Sequence, residues 1–239
     1  MIRDLSDLRI KIFADGADKQ GMIEMNSNQR IQGLTTNPTL MRKEGISDYK
    51  KFAQEVLLEI DEKPISFEVF SDDLEEMKRQ GLEIASWGKN VYVKIPITTT
   101  AGISTATVVE YLVNQGVKVN VTALMTTSQV SHVAKALNPQ VPSYVSVFAG
   151  RIADTGVDPT PIMREAIEIL EPNTNAELIW ASPRELFNIF QGDAIGCHII
   201  TATNDILKKL ELYGKNLEEY SLETVKMFRN DAVAAGYSF

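Results

Sequence analysis

A lysine amine can act as a nucleophile, and a carboxylate beside it can move protons. One stretch of the chain sets a lysine in a telling pattern. In Val91-Tyr92-Val93-Lys94-Ile95 the valines and Ile95 alternate with Tyr92 and Lys94. Side chains alternate faces along a strand, so Lys94 points away from the apolar face. The same division recurs elsewhere. Val117, Val119 and Val121 oppose Lys118, Asn120 and Thr122, while Phe67 and Val69 oppose Ser66 and Glu68. Ile10, Ile12 and Ala14 oppose Phe13 and Asp15, and Val145 and Val147 oppose Ser146 and Phe148. Singly, each polar residue has an ordinary reading: a lysine ending a strand is usually solvated, and an Asp or Thr after a strand usually caps a turn. Asp15, Glu68, Lys94, Asn120, Thr122 and Ser146 all fall at or near strand ends, and together they predict one functional site.

Elements that could bring them together follow from apolar spacing. Strand-length apolar stretches occur at Ile10–Ala14, Ile31–Leu34, Ile65–Phe70, Val91–Ile95, Val117–Val121, Tyr144–Phe148, Leu178–Ala181 and Cys197–Ile200. Helical spacing lies between them, as in Tyr49, Phe52, Ala53, Val56, Leu57 and Ile60, and in Ile162, Met163, Ala166, Ile167 and Leu170. Asp158-Pro159 and Ser182-Pro183 read as helix N-caps followed by proline, and Ser182 with Glu185 fits a capping box. Strands alternating with helices imply a parallel sheet. Eight units predict a closed (β/α)8 barrel, a TIM barrel, with an open doubly wound sheet as runner-up. The 239 residues suit a single barrel domain over 1–239, since such barrels take about 250. Leu217 to Tyr237 reads as an extra C-terminal helix. Barrel enzymes place their chemistry at the C-terminal ends of the strands, where the polar residues above fall. No Gly-x-Gly-x-x-Gly turn follows the first strand, which weakens a dinucleotide-binding reading.

Composition narrows the partners. Hydrophobic residues make up 44% and charged residues 23%, ordinary for a soluble globular protein. No apolar run approaches the ~20 residues of a membrane span. A net charge of −8 argues against nucleic acid and anionic membranes, but not against a small phosphorylated ligand held by one or two arginines. Met1 to Lys11 carries Arg3, Asp4, Asp7 and Arg9 and so lacks the apolar core of a secretory signal. Cys197 is the only cysteine, which excludes an intramolecular disulfide and makes a reducing cytoplasm the expected location. His132 reads as a surface or packing residue, His198 as structural and Cys197 as a small buried one; the three form no metal-ligand pattern.

Five ordered motifs resemble the transaldolases. Gly33-Leu34-Thr35-Thr36-Asn37-Pro38-Thr39-Leu40 resembles their Thr-Thr-Asn-Pro motif, and Val91-Tyr92-Val93-Lys94-Ile95-Pro96 their Schiff-base strand. Asn120-Val121-Thr122, Ser146-Val147-Phe148-Ala149-Gly150-Arg151 and Ala181-Ser182-Pro183-Arg184 resemble three more, in the family's order. The likeness runs from about Ile12 to Leu210. Transaldolases and the related fructose-6-phosphate aldolases are eight-stranded barrels, which agrees with the strand count.

The resemblance implies that Lys94 forms a Schiff base with a keto-sugar. Asp15 is then the acid–base group for the sugar C4 hydroxyl, and Glu68 and Thr122 hold the water of imine formation and hydrolysis. Thr36, Asn37 and Asn120 would contact the sugar, and Ser146, Arg151, Ser182 and Arg184 its phosphate. It implies a transferase of carbohydrate metabolism that moves a dihydroxyacetone unit between sugar phosphates such as those of the pentose phosphate pathway. No cofactor or metal is required, because the protonated imine is the electron sink. Family members carry Glu and Phe for transfer where the aldolases carry Gln and Tyr; Glu68 and Phe148 stand at those positions. Two alternatives remain: a fructose-6-phosphate aldolase-like lyase, and a non-catalytic phosphosugar-binding barrel. The C-terminal helix, with Leu222, Val225, Met227, Phe228, Val233 and Tyr237, predicts a homo-oligomer, a pentamer or decamer by analogy. Departures from the pattern include Gly16 after Asp15, Val147 in place of proline, Pro183 in place of an aromatic and Trp180 in place of a small residue. Leu178, Trp180 and Ser182 are spaced to share a strand face, so Trp180 is expected to point inward and narrow the substrate pocket.

Overall fold

A computed structural model describes residues 4–237. Arg3, one of the charges noted in the N-terminal segment, lies outside them. Eight strands alternate with helices: β1 (Lys11–Asp15), α1 (Lys19–Ser27), β2 (Ile31–Thr35), α2 (Pro38–Lys43), α3 (Tyr49–Leu57), β3 (Ile65–Glu68), α4 (Leu74–Ala85) and β4 (Val91–Pro96). They continue as α5 (Ala106–Asn114), β5 (Val119–Leu124), α6 (Thr127–Ala136), β6 (Ser143–Val147), α7 (Ala149–Asp154), α8 (Thr160–Leu170) and β7 (Ala176–Trp180). Then come α9 (Phe187–Ala194), β8 (Ile199–Thr203) and α10 (Asn204–Leu207). The strands form a closed barrel in chain order, all parallel, and β1 pairs with β8. That last pairing excludes the open sheet. The barrel unit ends at Leu207, and a second unit begins at Lys208. The second unit holds a 3-10 turn and α11 (Leu217–Ala234), which is capped by the Asn216 side chain and contains no buried residue. No helix among the described residues is long and apolar enough to cross a membrane.

Strand parity builds two layers. The outward residues Val93, Ile95, Val119, Val121, Val145, Val147 and Ile200 are fully buried, each worth about 1.5–3 kcal/mol of transfer free energy. The helices supply the facing apolar stripes, such as Phe52, Ala53 and Val56 on α3 and Met163, Ala166 and Leu170 on α8. Inside, Phe13, Tyr92, Tyr144, Ile179, Ala181 and Ile199 pack as one cluster. The Tyr92 and Tyr144 rings stack at 4.0 Å, and Phe13 sets its edge on Tyr144 at 5.7 Å. Gly33 pairs with Phe13 across β1 and β2. A Cβ there would stand 2.5 Å from Phe13 Cζ, so glycine is what lets the ring lie across the barrel.

Four expectations need correction. Trp180 points outward: it pairs with Val147 and Ile200, both on the helix-facing side, while Ile179 belongs to the interior cluster. Its indole packs near Gly192 of α9. Alternation does not carry from Trp180 to Ser182, because Ser182 adopts φ +59° and turns the chain. Ser182 is also not an N-cap. Helix α9 starts at Phe187 after Leu186, with no side-chain cap, and the Arg184 and Glu185 N–H groups donate to Asn188 Oδ1 instead. Strand β8 begins at Ile199, two residues later than apolar content suggests, because Thr201, Ala202 and Thr203 complete the pairing with β1. Asp158 accepts from Thr160 N at 2.9 Å, but Pro159 and not Asp158 takes the N-cap place of α8.

Gly33→Ala is expected to destabilise the barrel by about 1–3 kcal/mol, the usual cost of overpacking. That corresponds to a fall of roughly 2–4 °C in Tm per kcal/mol for a chain of this size. Phe13→Leu in the same chain should recover part of the loss; urea unfolding of the single and double variants measures both effects.

Candidate active site

Register places three side chains in one inward layer: Glu68 pairs with Lys94, and Lys94 with Asn120. Lys94 is buried at 6% exposure. Its Nζ donates to the Thr36 carbonyl at 2.9 Å and lies 3.5 Å from Glu68 Oε2. The end of β3 is held by Tyr49, whose hydroxyl donates to Glu68 O at 3.1 Å and accepts from Glu68 N at 2.6 Å. Asn120 is fixed on both sides: its Nδ2 donates to Ser66 Oγ at 3.0 Å, and Ser146 Oγ donates to its Oδ1 at 2.7 Å. Beyond Thr122 the pairing of β5 becomes irregular. Ala123 adopts φ +66°, and the pairing with β6 shifts between Val121 and Leu124. Thr122 Oγ1 is buried in the cavity wall without a hydrogen-bond partner in the protein. An unsatisfied buried hydroxyl costs about 1–3 kcal/mol, a cost natural proteins tolerate where a bound molecule can meet the group.

Asp15 closes the other side. Thr35 Oγ1 donates to its Oδ1 at 2.7 Å, and Asn37 Nδ2 to its Oδ2 at 3.0 Å. The Asn37 amide is oriented by its other end, which accepts from Leu40 N at 2.9 Å and caps α2. Burial pushes the Asp15 carboxyl above the usual range, against the opposing pull of Lys94 and the two hydrogen bonds. Burial pushes Glu68 up as well; Lys94 opposes this and Asp15 adds to it. For both groups the loss of solvent outweighs the pull of Lys94.

A corner between β6 and β7 carries the arginines. Gly150 N donates to Ala181 O, and a Cβ on Gly150 would fall 1.6 Å from Ser182 O, so only glycine permits this approach. Arg151 sets its guanidinium 5.8 Å from the Phe148 ring centre. Arg184 donates from Nη1 to Ser182 Oγ at 3.0 Å and from Nε to Asp154 Oδ1 at 2.8 Å, with a second bond from Nη2 to Asp154.

One cavity of about 600 Å³ opens at the C-terminal mouth. It is lined by Lys94, Asp15, Glu68, Thr122, Asn37 and Asn120, and by Ser146, Phe148, Arg151, Ser182 and Arg184. Two expected site residues lie outside it. Trp180 faces the helices, and the Thr36 hydroxyl is taken up by Ser66 O at 2.8 Å, so Thr36 serves the site through its carbonyl on Lys94. Thr35, Thr201 and Thr203 also line the cavity and were missed. Thr35 shares the parity of Gly33, and the two β8 threonines follow once that strand is placed two residues later. Asp154, the partner of Arg184, carried no sequence signal beyond its separation of three residues from Arg151. His198 is structural, its Nδ1 accepting from Leu178 N at 3.0 Å. The buried Cys197 thiol is pushed up to about 12. Among the described residues, no group of three or more His, Cys, Asp or Glu side chains is placed to hold a metal ion.

Fold and site together define a class: parallel (β/α)8 barrels with a lysine amine beside a carboxylate at the C-terminal mouth. Within it, the chain belongs to the transaldolase/fructose-6-phosphate aldolase family, whose family model matches residues 12–238. It is 35% identical over 202 residues to a probable transaldolase of Thermoanaerobacter sp. (strain X514), covering 84% of this chain and 89% of that one. A probable transaldolase of Methanococcus maripaludis (strain C5 / ATCC BAA-1333) is 34% identical over 202 residues, covering 84% and 89%. Among solved structures, a putative dihydrodipicolinate synthase family protein from Coccidioides immitis superposes with a TM-score of 0.59 at 12% identity, covering 97% of this chain and 80% of that one. A mandelate oxidase mutant with a monooxide FMN adduct superposes with a TM-score of 0.57 at 11% identity, covering 85% and 71%. At such identities these two likenesses concern the barrel alone.

The raised carboxyls set a pH dependence. A carboxyl whose pKa is raised by folding binds its proton more tightly in the folded chain. Its contribution is therefore most favourable below the ordinary carboxylate range, and stability falls as pH rises from about 4 through the raised folded value. Asp15→Asn removes one such group. The variant should gain on the native chain across that window, by up to about 1.4 kcal/mol per pH unit. Urea unfolding at a series of pH values reads this; parallel curves for the two chains would contradict it.

Proposed function

We propose that the chain is a transaldolase-like transferase that moves a dihydroxyacetone unit between sugar phosphates through a Schiff base on Lys94. The observation that carries this reading is the Lys94 amine, 3.5 Å from the Glu68 carboxylate in a cavity shared with Asp15 and the unpartnered Thr122 hydroxyl. In this scheme Lys94 Nζ adds to the ketose C2. Glu68, whose proton affinity burial raises, gives a proton to the leaving hydroxyl, and Thr122 holds the water that departs. Asp15 takes the proton of the C4 hydroxyl as the C3–C4 bond breaks. The aldose leaves, and the imine carries the electron pair as an enamine. An acceptor aldehyde then takes the enamine carbon, Asp15 returns the proton to the new hydroxyl, and water releases the product from Lys94.

Two further features support the substrate and the direction. Arg151, Ser182 and Arg184 offer cationic and hydroxyl donors for a phosphate at one corner. Phe148 lines the cavity with a ring that has no hydroxyl to protonate the enamine, which favours transfer over release as in a fructose-6-phosphate aldolase. Trp180, facing outward, sets no limit on sugar size. The single buried cysteine suits a reducing cytoplasm. For association of copies, α11 supplies the apolar surface: Leu222, Val225, Phe228 and Val233 are each more than half exposed.

Borohydride with fructose 6-phosphate should fix a sugar-derived adduct on Lys94, and Lys94→Ala should lose both the adduct and turnover. Donor consumption should rise steeply when erythrose 4-phosphate is added; equal rates with and without it would favour the lyase, and no adduct at all would favour a non-catalytic binder. Arg151→Ala should raise KM for phosphorylated donors about 10-fold or more, the scale of one charge-assisted hydrogen bond. Light scattering should show a mass well above one chain at micromolar concentration.

A further inference from the structure

The hydroxyl that holds Asp15 is itself held. Thr35 Oγ1 lies 2.7 Å from Asp15 Oδ1 and 2.6 Å from Thr201 Oγ1. A threonine hydroxyl has a single proton. An ionised carboxylate only accepts, so the Thr35 proton goes to Asp15, and the 2.6 Å contact can then be made only by the Thr201 proton. The run Thr201 to Thr35 to Asp15 therefore has one polarity while Asp15 is charged. Both threonines are buried, at 2% and 7% exposure, where linked hydrogen bonds polarise one another. Oδ2 has its own anchor in Asn37, which leaves Thr35 as the donor to Oδ1. The charged groups that face Asp15 are Lys94 from β4 and Glu68 from β3, with Asp205 of α10 at the cavity rim. None of them donates to Oδ1.

We propose that Thr201 is a positioning residue for Asp15, acting through the hydroxyl of Thr35; its catalytic consequence rests on the reading of Asp15 as the acid–base group. Register brings the three together: Asp15 pairs with Thr35 across β1 and β2, and Thr201 pairs with Phe13 one layer below on β8. Without the Thr201 hydroxyl, Thr35 loses the donor that fixes its rotor, and its own bond to Asp15 weakens. The ionised form of Asp15 is then less favoured. A packing role for Thr201 would leave that balance where it is.

The direct test is a carbon NMR titration of the aspartate carboxyls in the ligand-free protein, with the Asp15 signal identified by its loss in Asp15→Asn. A Glu68→Gln background leaves Asp15 as the one carboxyl beside Lys94. Thr201→Val keeps the shape and removes the hydroxyl, and should move the Asp15 midpoint upward by about half a pH unit; Thr201→Ser should bring it back. Thr201→Ala serves if the valine variant does not fold, with the same upward move expected. With Glu68 intact, the acidic limb of kcat/KM for donor consumption should move the same way in Thr201→Val. An Asp15 midpoint that stays put in the hydroxyl-free variants overturns the proposal. The titration needs no turnover, so a wild-type chain that consumes no donor would count against the proposed activity and leave the Thr201 result readable.

Discussion

An amine and two carboxylates enclosed in one small space are hard to hold together, and much of the barrel answers that difficulty. Lys94 can be buried because Glu68 stands beside it and the Thr36 carbonyl accepts a hydrogen bond from its Nζ. Asp15 adds a second negative charge that the same lysine must serve, and desolvation lifts both carboxyls above their ordinary range. The surrounding polar atoms are nearly all committed: Asn120 between Ser66 and Ser146, Asn37 between Leu40 and Asp15, Tyr49 on the end of β3. Such fixed donors cannot reorganise to relieve the charges, so the strain is carried by the fold as a whole. The outward valines and isoleucines, buried on the helix ring, supply the stability that offsets it.

Glycine does two different jobs in this arrangement. Gly33 leaves room for a ring, letting Phe13 lie over the middle of the barrel. Gly150 leaves room for backbone, letting the start of α7 meet the loop after β7. The second approach joins Arg151 to Ser182 and Arg184, which come from separate β/α units. Neither glycine needs a left-handed conformation; each is there because a methyl group would collide.

Strand parity made most of this legible from the sequence. Alternation set Lys94, Glu68, Asn120, Thr122 and Asp15 on one side, and eight repeats of strand and helix implied closure. Parity failed where the backbone broke it. Ser182 turns through φ +59°, so the face assigned to it said nothing about Trp180, and the proline after it mimicked a helix start that occurs further on at Phe187. Thr201 and Thr203 went unnoticed because β8 owes its later half to pairing with β1, while apolar content marks only its beginning. The contacts of Asp154 and Thr36 join segments far apart in the chain, Asp154 on α7 to Arg184 and Thr36 to β3 and β4, and no spacing rule reports that.

The stacked rings of Tyr92 and Tyr144, with Phe13 against them, have a kinetic meaning. They fill the barrel below the Lys94 layer together with Ile179 and Ile199, so among the described residues the chamber is floored and opens at the C-terminal mouth. Any molecule that reacts there must leave by the way it came. In the proposed transfer, donor and acceptor would use the same phosphate corner in turn, the first departing before the second arrives. On the proposed reading, the fragment that stays behind in between is held by its covalent bond to Lys94 in the chamber wall, a tether firmer than fit.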